Sequence, residues 1–328
     1  MKNNIMKYFV LPIALLLTTS CSEDGCSDKV DAGSVQKAES FVDNRDGYEY
    51  KTVKIGNQLW LAENLRYRLE RGIIDGCSTY GEKFLMVDEI MPTPEDYAEI
   101  MKKIANDPKY KWTSGFKNRM GKQFPRRLII GTMTVKDVIR VLKETQEGLE
   151  FEKAMKPDVE VAKKKSVLAE AEKSFVNAEK KNGGYFKRYG YLYSLEGAKK
   201  AVPEGWRIPT DEDWKKLEMA VGMNQASVDQ IESWRGSGVG TFLLENKDGS
   251  FSAQTAGAVV FAASDLNKYM RVDENGYYWS STLINKNDSV NLALIRTLSI
   301  YNDKVWRGTS ELGDNGTVRY SVRCVKDL

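Results

Sequence analysis

The first apolar pattern in the chain is a continuous run over residues 8–17. Lys2 and Lys7 precede the run, and three small polar residues, Thr18, Thr19 and Ser20, follow it. A basic start, an apolar centre and a small-residue exit predict a secretory signal over residues 1–20. The run is too short to cross a bilayer, which takes roughly 20 apolar residues.

A polar stretch follows the leader. Residues 21–40 are mostly Ser, Asp, Glu, Gly, Ala and Lys, with few large apolar side chains. Such a composition buries too little surface to offset the entropy lost on ordering, so we expect a flexible tether over residues 21–40.

Alternation of polar and apolar residues begins after this stretch. Residues 51–55 (KTVKI) alternate with period two, and the pairs Asp46-Gly47 and Gly56-Asn57 flank them. Both pairs favour hairpin turns, so the pattern predicts an antiparallel meander. Residues 277–282, 291–296 and 317–325 read as further strands, the last two closing the fold.

A helical period appears after residue 209. Thr210 is suited to an N-cap, with Asp213 three residues later as in a capping box. Trp214, Leu217 and Val221 follow at helical spacing and predict a buried face. We expect the tryptophans of this part of the chain, Trp206, Trp214 and Trp279, to lie mainly in the core.

Residues 84–184 have a different texture, with repeated helix signals. Thr93-Pro94 predicts the start of one helix and Thr134 the start of a second. Asp158 predicts the start of a third, with Val161, Leu168, Ala171 and Phe175 facing inward and Gly183-Gly184 closing it. Strands and helices in separate segments indicate an α+β fold with a mostly helical insert.

The composition excludes several kinds of chemistry. The 328 residues contain no histidine, which removes Ser-His-Asp and Cys-His relays and histidine zinc sites. Four cysteines without a C-x-x-C pair are a weak basis for a metal site. A net charge of +3 is too small to indicate nucleic acid as a partner. We therefore predict a protein that is not an enzyme and has no cofactor or metal.

Charge is concentrated within the insert. Residues 101–143 contain twelve bases and two acids, interleaved with Tyr110, Trp112, Phe116 and Phe124. Lys122, Arg126 and Arg127 are the candidate ligand-binding residues here, for anionic glycans, lipid phosphates or an acidic protein. An ordinary solvated helical face, balanced by neighbouring acids, explains the same pattern.

Two loops are further candidates for binding. Residues 236–257 are rich in Gly, Ser, Asn and Asp, which is typical of irregular loops that carry sites. Oxygen-bearing side chains cluster in a second segment, at Asn285, Asn287, Asp288 and Asn291. A calcium site needs such clusters, but a polar turn also explains this one.

Five segments together resemble one known family. They are residues 46–65 (DGYEYKTVKIGNQLWLAENL), 189–193 (YGYLY), 203–214 (PEGWRIPTDEDW), 276–282 (GYYWSST) and 321–327 (SVRCVKD). In this order they resemble the Fibrobacter succinogenes major paralogous domain, which implies a C-type-lectin-like fold. The resemblance covers residues 41–83 and 185–328, with 84–184 as an insertion.

The same resemblance bears on the cysteines. Family members often carry a cysteine where this chain has Val202, able to bridge to the position of Cys324. With that partner missing, Cys77 is the other candidate in the folded part. A Cys77–Cys324 disulfide is therefore a hypothesis, permitted by an oxidising compartment.

The residues around Cys21 resemble a bacterial lipobox, and Ser22–Gly25 resembles the acidic export tag of Bacteroidetes surface lipoproteins. The resemblance implies that acyl chains on Cys21 anchor the protein in the outer membrane, exposed at the cell surface.

These observations favour a lipid-anchored binding protein for a glycan or protein ligand. One alternative is a structural or docking component of an outer-membrane or fimbria-like assembly. A second is a degenerate enzyme of the sulfatase-modifying type, because that class shares the G-W-R-x-P-T segment.

Overall fold

The computed structural model describes residues 28–69, 76–82, 91–262, 265–286, 290–312 and 318–328. The described residues contain both helices and antiparallel strands, so the predicted α+β class is confirmed. The secretory leader and Cys21 lie outside the described residues.

The strands form four antiparallel sheets. In sheet order, the first contains β1 (Val35–Asp43), β2 (Tyr48–Ile55), β3 (Gln58–Leu61) and β13 (Val325–Asp327). The second contains β6 (Ser233–Arg235), β11 (Asn302–Glu311), β10 (Val290–Ser299) and β9 (Asn275–Lys286). The third contains β12 (Val318–Arg319), β7 (Ala258–Ala262) and β8 (Asp265–Met270), and the fourth β4 (Cys77–Ser78) and β5 (Leu192–Tyr193).

The helices fall into two groups along the chain. The first group contains α1 (Pro94–Asn106), α2 (Ser114–Asn118), α3 (Phe124–Ile129), α4 (Val135–Leu142) and α5 (Gln146–Lys181). The second contains α6 (Tyr185–Tyr189), α7 (Leu195–Ala201), α8 (Asp211–Ala220), α9 (Gln225–Val228) and α10 (Val239–Leu244). None of the described helices combines the length and apolar composition that a membrane crossing requires.

The first sheet lies between two hydrophobic cores. Successive residues of β3 point to opposite faces, so Trp60 enters one core while Leu61 enters the other. In β2, Tyr50 and Val53 divide in the same way. Two covered faces explain why Thr52 and Val53 are both buried, although the sequence reads as a half-exposed strand.

The two predicted hairpin turns differ in length. Gly56-Asn57 forms the expected two-residue turn, since Ile55 pairs with Gln58. Around Asp46-Gly47 the loop has four residues, because the pairing stops at Asp43 and Tyr48. Arg45 occupies this loop, donating to both carboxylate oxygens of Asp43 and to the carbonyl of Ala201.

The predicted tether is wrong from Asp28 onward. Asp28 accepts hydrogen bonds from the backbone and side chain of Asn224, and Lys29 donates to Gly222 O at 3.1 Å. From Val35 the chain is strand β1, paired with β2. Pairing of the backbone does not require large apolar side chains, so composition alone misses this strand.

Helix α8 follows the sequence prediction. Thr210 and Asp213 form a complete capping box, and Trp214, Leu217 and Val221 are fully buried. Trp206 and Trp279 are also core residues, as expected.

The first group of helices has its own core. Buried residues of α1, α3 and α4 pack with the first half of α5, around Phe151 and Met155. The predicted starts at Thr93 and Thr134 are confirmed as N-caps with side-chain hydrogen bonds.

The third predicted helix is wrong in its start and in part of its inward face. It begins at Gln146, capped by Thr145, and Pro157-Asp158 lies inside it. Val161 is 71% exposed and Leu168 41%, whereas Ala171 is buried as predicted. The 36-residue helix is roughly 54 Å long, at 1.5 Å per residue. Phe151 places its first half in the helical core, and Phe175 packs its second half against the core that contains Leu61.

Candidate functional site

A large open groove of about 1270 Å³ lies on the described surface. Strands β1 and β2 form one side, and residues 244–255 form the other. The second side belongs to the predicted binding loop 236–257. We call this concavity the hairpin groove.

A buried arginine positions that loop. Arg323 is fully buried and donates to Phe251 O at 2.6 Å and also to Ser252 O. Its guanidinium lies 4.7 Å from the centroid of the Phe251 ring, and its Nε donates to Asn64 Oδ1 at 2.9 Å. Burial lowers the pKa of Arg323. The hydrogen bonds to carbonyl oxygens compensate for its lost hydration and hold the loop against β3.

Gln254 forms the second attachment of the loop. Its backbone N–H donates to Tyr278 Oη at 2.6 Å, and the Tyr278 hydroxyl donates to Gln254 O at 2.7 Å. The side chain accepts from Asn64 N at 3.3 Å and donates to Arg188 O at 2.5 Å. One wall of the hairpin groove is therefore pre-formed, which lowers the entropy cost of binding.

The groove presents both signs of charge. Lys37 and Asp248 pair at 2.7 Å between its two sides, and both side chains are largely exposed. Glu39 and Lys51 also line it and are exposed. Glu63 is engaged, since it accepts from Lys51 N at 3.1 Å. The groove therefore offers a ligand both hydrogen-bond donors and hydrogen-bond acceptors, and its positive and negative charges partly cancel.

An exposed apolar edge borders the groove. The β10–β11 hairpin turns through Ile300 and Tyr301, since Ser299 pairs with Asn302. Ile300 lines the groove and is 56% exposed, and Tyr301 beside it is 74% exposed. An exposed tyrosine next to hydrogen-bonding groups is able to stack on a ligand ring.

Behind α8 lies a buried ionic network. Arg296 and Arg307 both donate to Asp211 at 2.7 Å, and Arg296 and Arg235 both donate to Glu218. Asp211, in the first turn of α8, is therefore held by two arginines that are distant in sequence. Each carboxylate is held between guanidinium groups and shielded from solvent, which makes this network a structural unit.

The second predicted loop is described only in part. Asn285 and Asn291 are Cα partners across β9 and β10. Asn287 and Asp288 lie outside the described residues. The prediction of a ligand site at these four residues stays a prediction.

The predicted basic residues lie in the insert. Lys122, Arg126 and Arg127 are exposed on the first group of helices and do not line the hairpin groove. Of the aromatic residues among them, Phe116 and Phe124 are buried in the helical core, whereas Tyr110 and Trp112 pack against it and are partly exposed.

The hypothesis of a Cys77–Cys324 disulfide is wrong for this structure. Neither thiol forms a disulfide, and both are buried in the same core. Cys77 Sγ accepts from Leu69 N at 3.4 Å, and burial raises the pKa of Cys324. Tyr193 pairs with Cys77 in the β4–β5 ladder and lies close to both thiols.

Among the described residues, no three carboxylate or thiolate side chains gather as a metal site would require. Three residues of the site were not identified from the sequence: Arg323, Gln254 and Tyr301. The signal for Arg323 was present, since it belongs to the recognised SVRC segment.

Comparison with known proteins gives one finding. A family model described as the Fibrobacter succinogenes major domain matches residues 144–326. No similarity to a curated protein or to a solved structure is found. The match begins within the segment that we assigned to the insert. It covers more than half of the sequence and includes α8, the loop beside the groove and Arg323, so the chain belongs to the Fibrobacter succinogenes major domain family.

Proposed function

We propose that this protein is a non-catalytic binding protein, anchored in the outer membrane through a lipidated Cys21, that recognises a glycan in the hairpin groove. The anchor is supported by the basic, apolar and small-residue order of the leader. The C-type-lectin-like architecture implied by the family resemblance is part of the proposal.

The observation that carries the binding function is the pre-formed groove with Tyr301 at its edge. Its lining is mostly hydroxyl, amide and charged side chains, with Ile300 as an exposed aliphatic residue. Sugars present many hydroxyl groups and one apolar ring face, which suits hydrogen-bonding groups beside an exposed aromatic ring.

A glycan array with a chain beginning at Ser22 tests the proposal. This chain retains all described residues, whereas a start at residue 41 would remove most of β1. We expect binding to a set of related glycans, reduced at least tenfold by Ile300→Ala with Tyr301→Ala. Ile231→Ala is the matched control, because Ile231 is 45% exposed and does not line the groove.

Binding that survives the double substitution would place the glycan elsewhere. An array without any bound glycan, combined with specific capture of a surface protein that needs Tyr301, would favour a protein ligand.

A further inference from the structure

Residues 114–129 form one continuous helical segment on the surface of the insert. Helix α2 leads into a π-helical turn, Arg119–Gln123, and then into α3. Its inner face is buried in the helical core through Phe116, Met120, Phe124 and Leu128. We call the opposite side of this segment the basic face.

The basic face carries no acidic side chain. Lys117, Arg119, Lys122, Arg126 and Arg127 are all exposed there. The surrounding stretch of 29 residues, 108–136, contains eight bases and no Asp or Glu. Within the described part of the chain, none of the five bases forms an ion pair.

The nearest acid on the C-terminal side of these bases is already engaged. Asp137 accepts from Thr134 in a capping box and pairs with Arg140 at 3.2 Å. The charges of Arg140 and Arg127 also help to lower the pKa of Asp137, after the hydrogen bonds from Thr134. Asp137 therefore acts on Arg127 only through its charge, without an ion pair, and no described acid pairs directly with any of the five bases.

Two exposed aliphatic residues end the basic face. Ile129 is 51% exposed and Ile130 is 60% exposed, and only the buried Leu128 separates them from Arg127. Ile130 N donates to Arg126 O at 3.0 Å, so the turn of backbone that presents both side chains is ordered. Exposed aliphatic side chains beside clustered bases are typical of surfaces that lie in the headgroup region of a membrane.

We propose that the basic face, with Ile129 and Ile130, docks on a membrane surface that carries anionic headgroups. The bases complement the phosphates, and the two isoleucines enter the boundary between headgroups and acyl chains. A soluble polyanion would leave both isoleucines in water, and the two aromatic rings of this segment, Phe116 and Phe124, are buried in the helical core and so cannot stack on nucleic acid bases. This proposal does not depend on the hairpin groove.

Vesicle co-sedimentation tests the proposal. The probe is a chain beginning at Ser22, without acyl chains, mixed with vesicles of phosphatidylglycerol and phosphatidylcholine or of phosphatidylcholine alone. We expect binding to the anionic vesicles only, weakened at least tenfold by 0.5 M salt because screening shortens the reach of surface charge. Reversal of Lys122, Arg126 and Arg127 to Glu should lower the partition coefficient by about a hundredfold.

The matched control reverses three exposed lysines outside the insert, Lys54→Glu, Lys216→Glu and Lys326→Glu, which changes the net charge equally. It should reduce partitioning by less than threefold. Ile129→Ser with Ile130→Ser leaves the charge unchanged and should reduce partitioning about tenfold. A circular dichroism spectrum of each variant is the control for folding.

Three results would overturn the proposal. One is a loss of partitioning in the lysine control variant equal to that in the Lys122, Arg126 and Arg127 variant. Another is unchanged partitioning in the variant with Ile129→Ser and Ile130→Ser. The third is retention on heparin that requires the basic face without any binding to anionic vesicles, which would identify a soluble polyanion as the partner.

Discussion

Arg296 donates from Nε to Glu218 Oε1 over 2.6 Å, and neither side chain exposes any surface to solvent. The other oxygen of Glu218 accepts from Arg235 at 2.9 Å. One carboxylate therefore compensates two buried guanidinium groups, and its removal would leave Arg235 without its charge partner and Arg296 with Asp211 alone.

We expect Glu218→Gln to lower the free energy of unfolding by about 3–5 kcal/mol, the cost typical of breaking a buried ion pair. Urea denaturation of a chain beginning at Ser22 measures this change. Asp248→Asn is the matched control, since it breaks the exposed Lys37–Asp248 pair and should leave the stability within experimental error. A Glu218 variant as stable as this control would contradict a structural role for the network.

The lowered pKa of Asp211 should make the free energy of unfolding depend on pH. Burial acts to raise its pKa, but hydrogen bonds from Arg307 and the charge of Arg296 outweigh it and lower the pKa to about 2. Because the folded pKa lies below the ordinary value of 3.8, the stabilisation is present above about pH 4. It is lost as the pH falls to about 2.

The measurement compares the free energy of unfolding of the wild type and Asp211→Asn from pH 2 to pH 6. The difference should be constant above about pH 4 and shrink by roughly 2 kcal/mol towards pH 2. A difference that does not vary with pH would show that Asp211 titrates normally in the folded protein.

The segment at residues 28–31 should depend on one glycine. Gly222 has φ +106°, and a Cβ there would lie 1.6 Å from Lys29 O. Gly222→Ala should therefore release the segment and increase cleavage after Lys29 by an endoproteinase specific for lysine, at least tenfold. Gly205→Ala is the control, since its φ is +77° but a Cβ there meets no atom within 4 Å. Unchanged protection in Gly222→Ala would mean that the segment does not lie against α8.

Unfolding should expose two thiols that are buried in the native protein. In a Cys26→Ser chain beginning at Ser22, a thiol reagent should react with neither Cys77 nor Cys324 until denaturant is added. It should then modify both without reduction, because neither thiol forms a disulfide and both are buried in the native state. If no thiol reacts after denaturation, the hypothesis of a Cys77–Cys324 disulfide would be correct.

The sequence predicted the features that depend on neighbouring residues. Thr210, Asp213 and Trp214 lie within five positions, so capping and periodicity were sufficient to place α8. The start of α5 was misplaced because Pro157-Asp158 resembles a helix start, whereas the cap is Thr145. A proline is accommodated inside this helix because packing at both ends stabilises it.

The buried charges could not be predicted in this way. Arg296 meets Glu218 78 residues away and Asp211 85 residues away. Arg323 meets the Phe251 carbonyl 72 residues away. In sequence, a base at any of these positions looks like a surface residue of a strand, because only the tertiary fold supplies its partner.

The arrangement of Trp60 and Leu61 on opposite faces of β3 has a consequence for folding fidelity. A slip of β3 by one residue would exchange the side chains offered to the two cores, placing an indole where an isobutyl group fits and the reverse. A sheet with one solvated face would lose packing on one side only. Here the packing on both faces would be lost together, so mispaired hairpins of the first sheet are disfavoured by both cores.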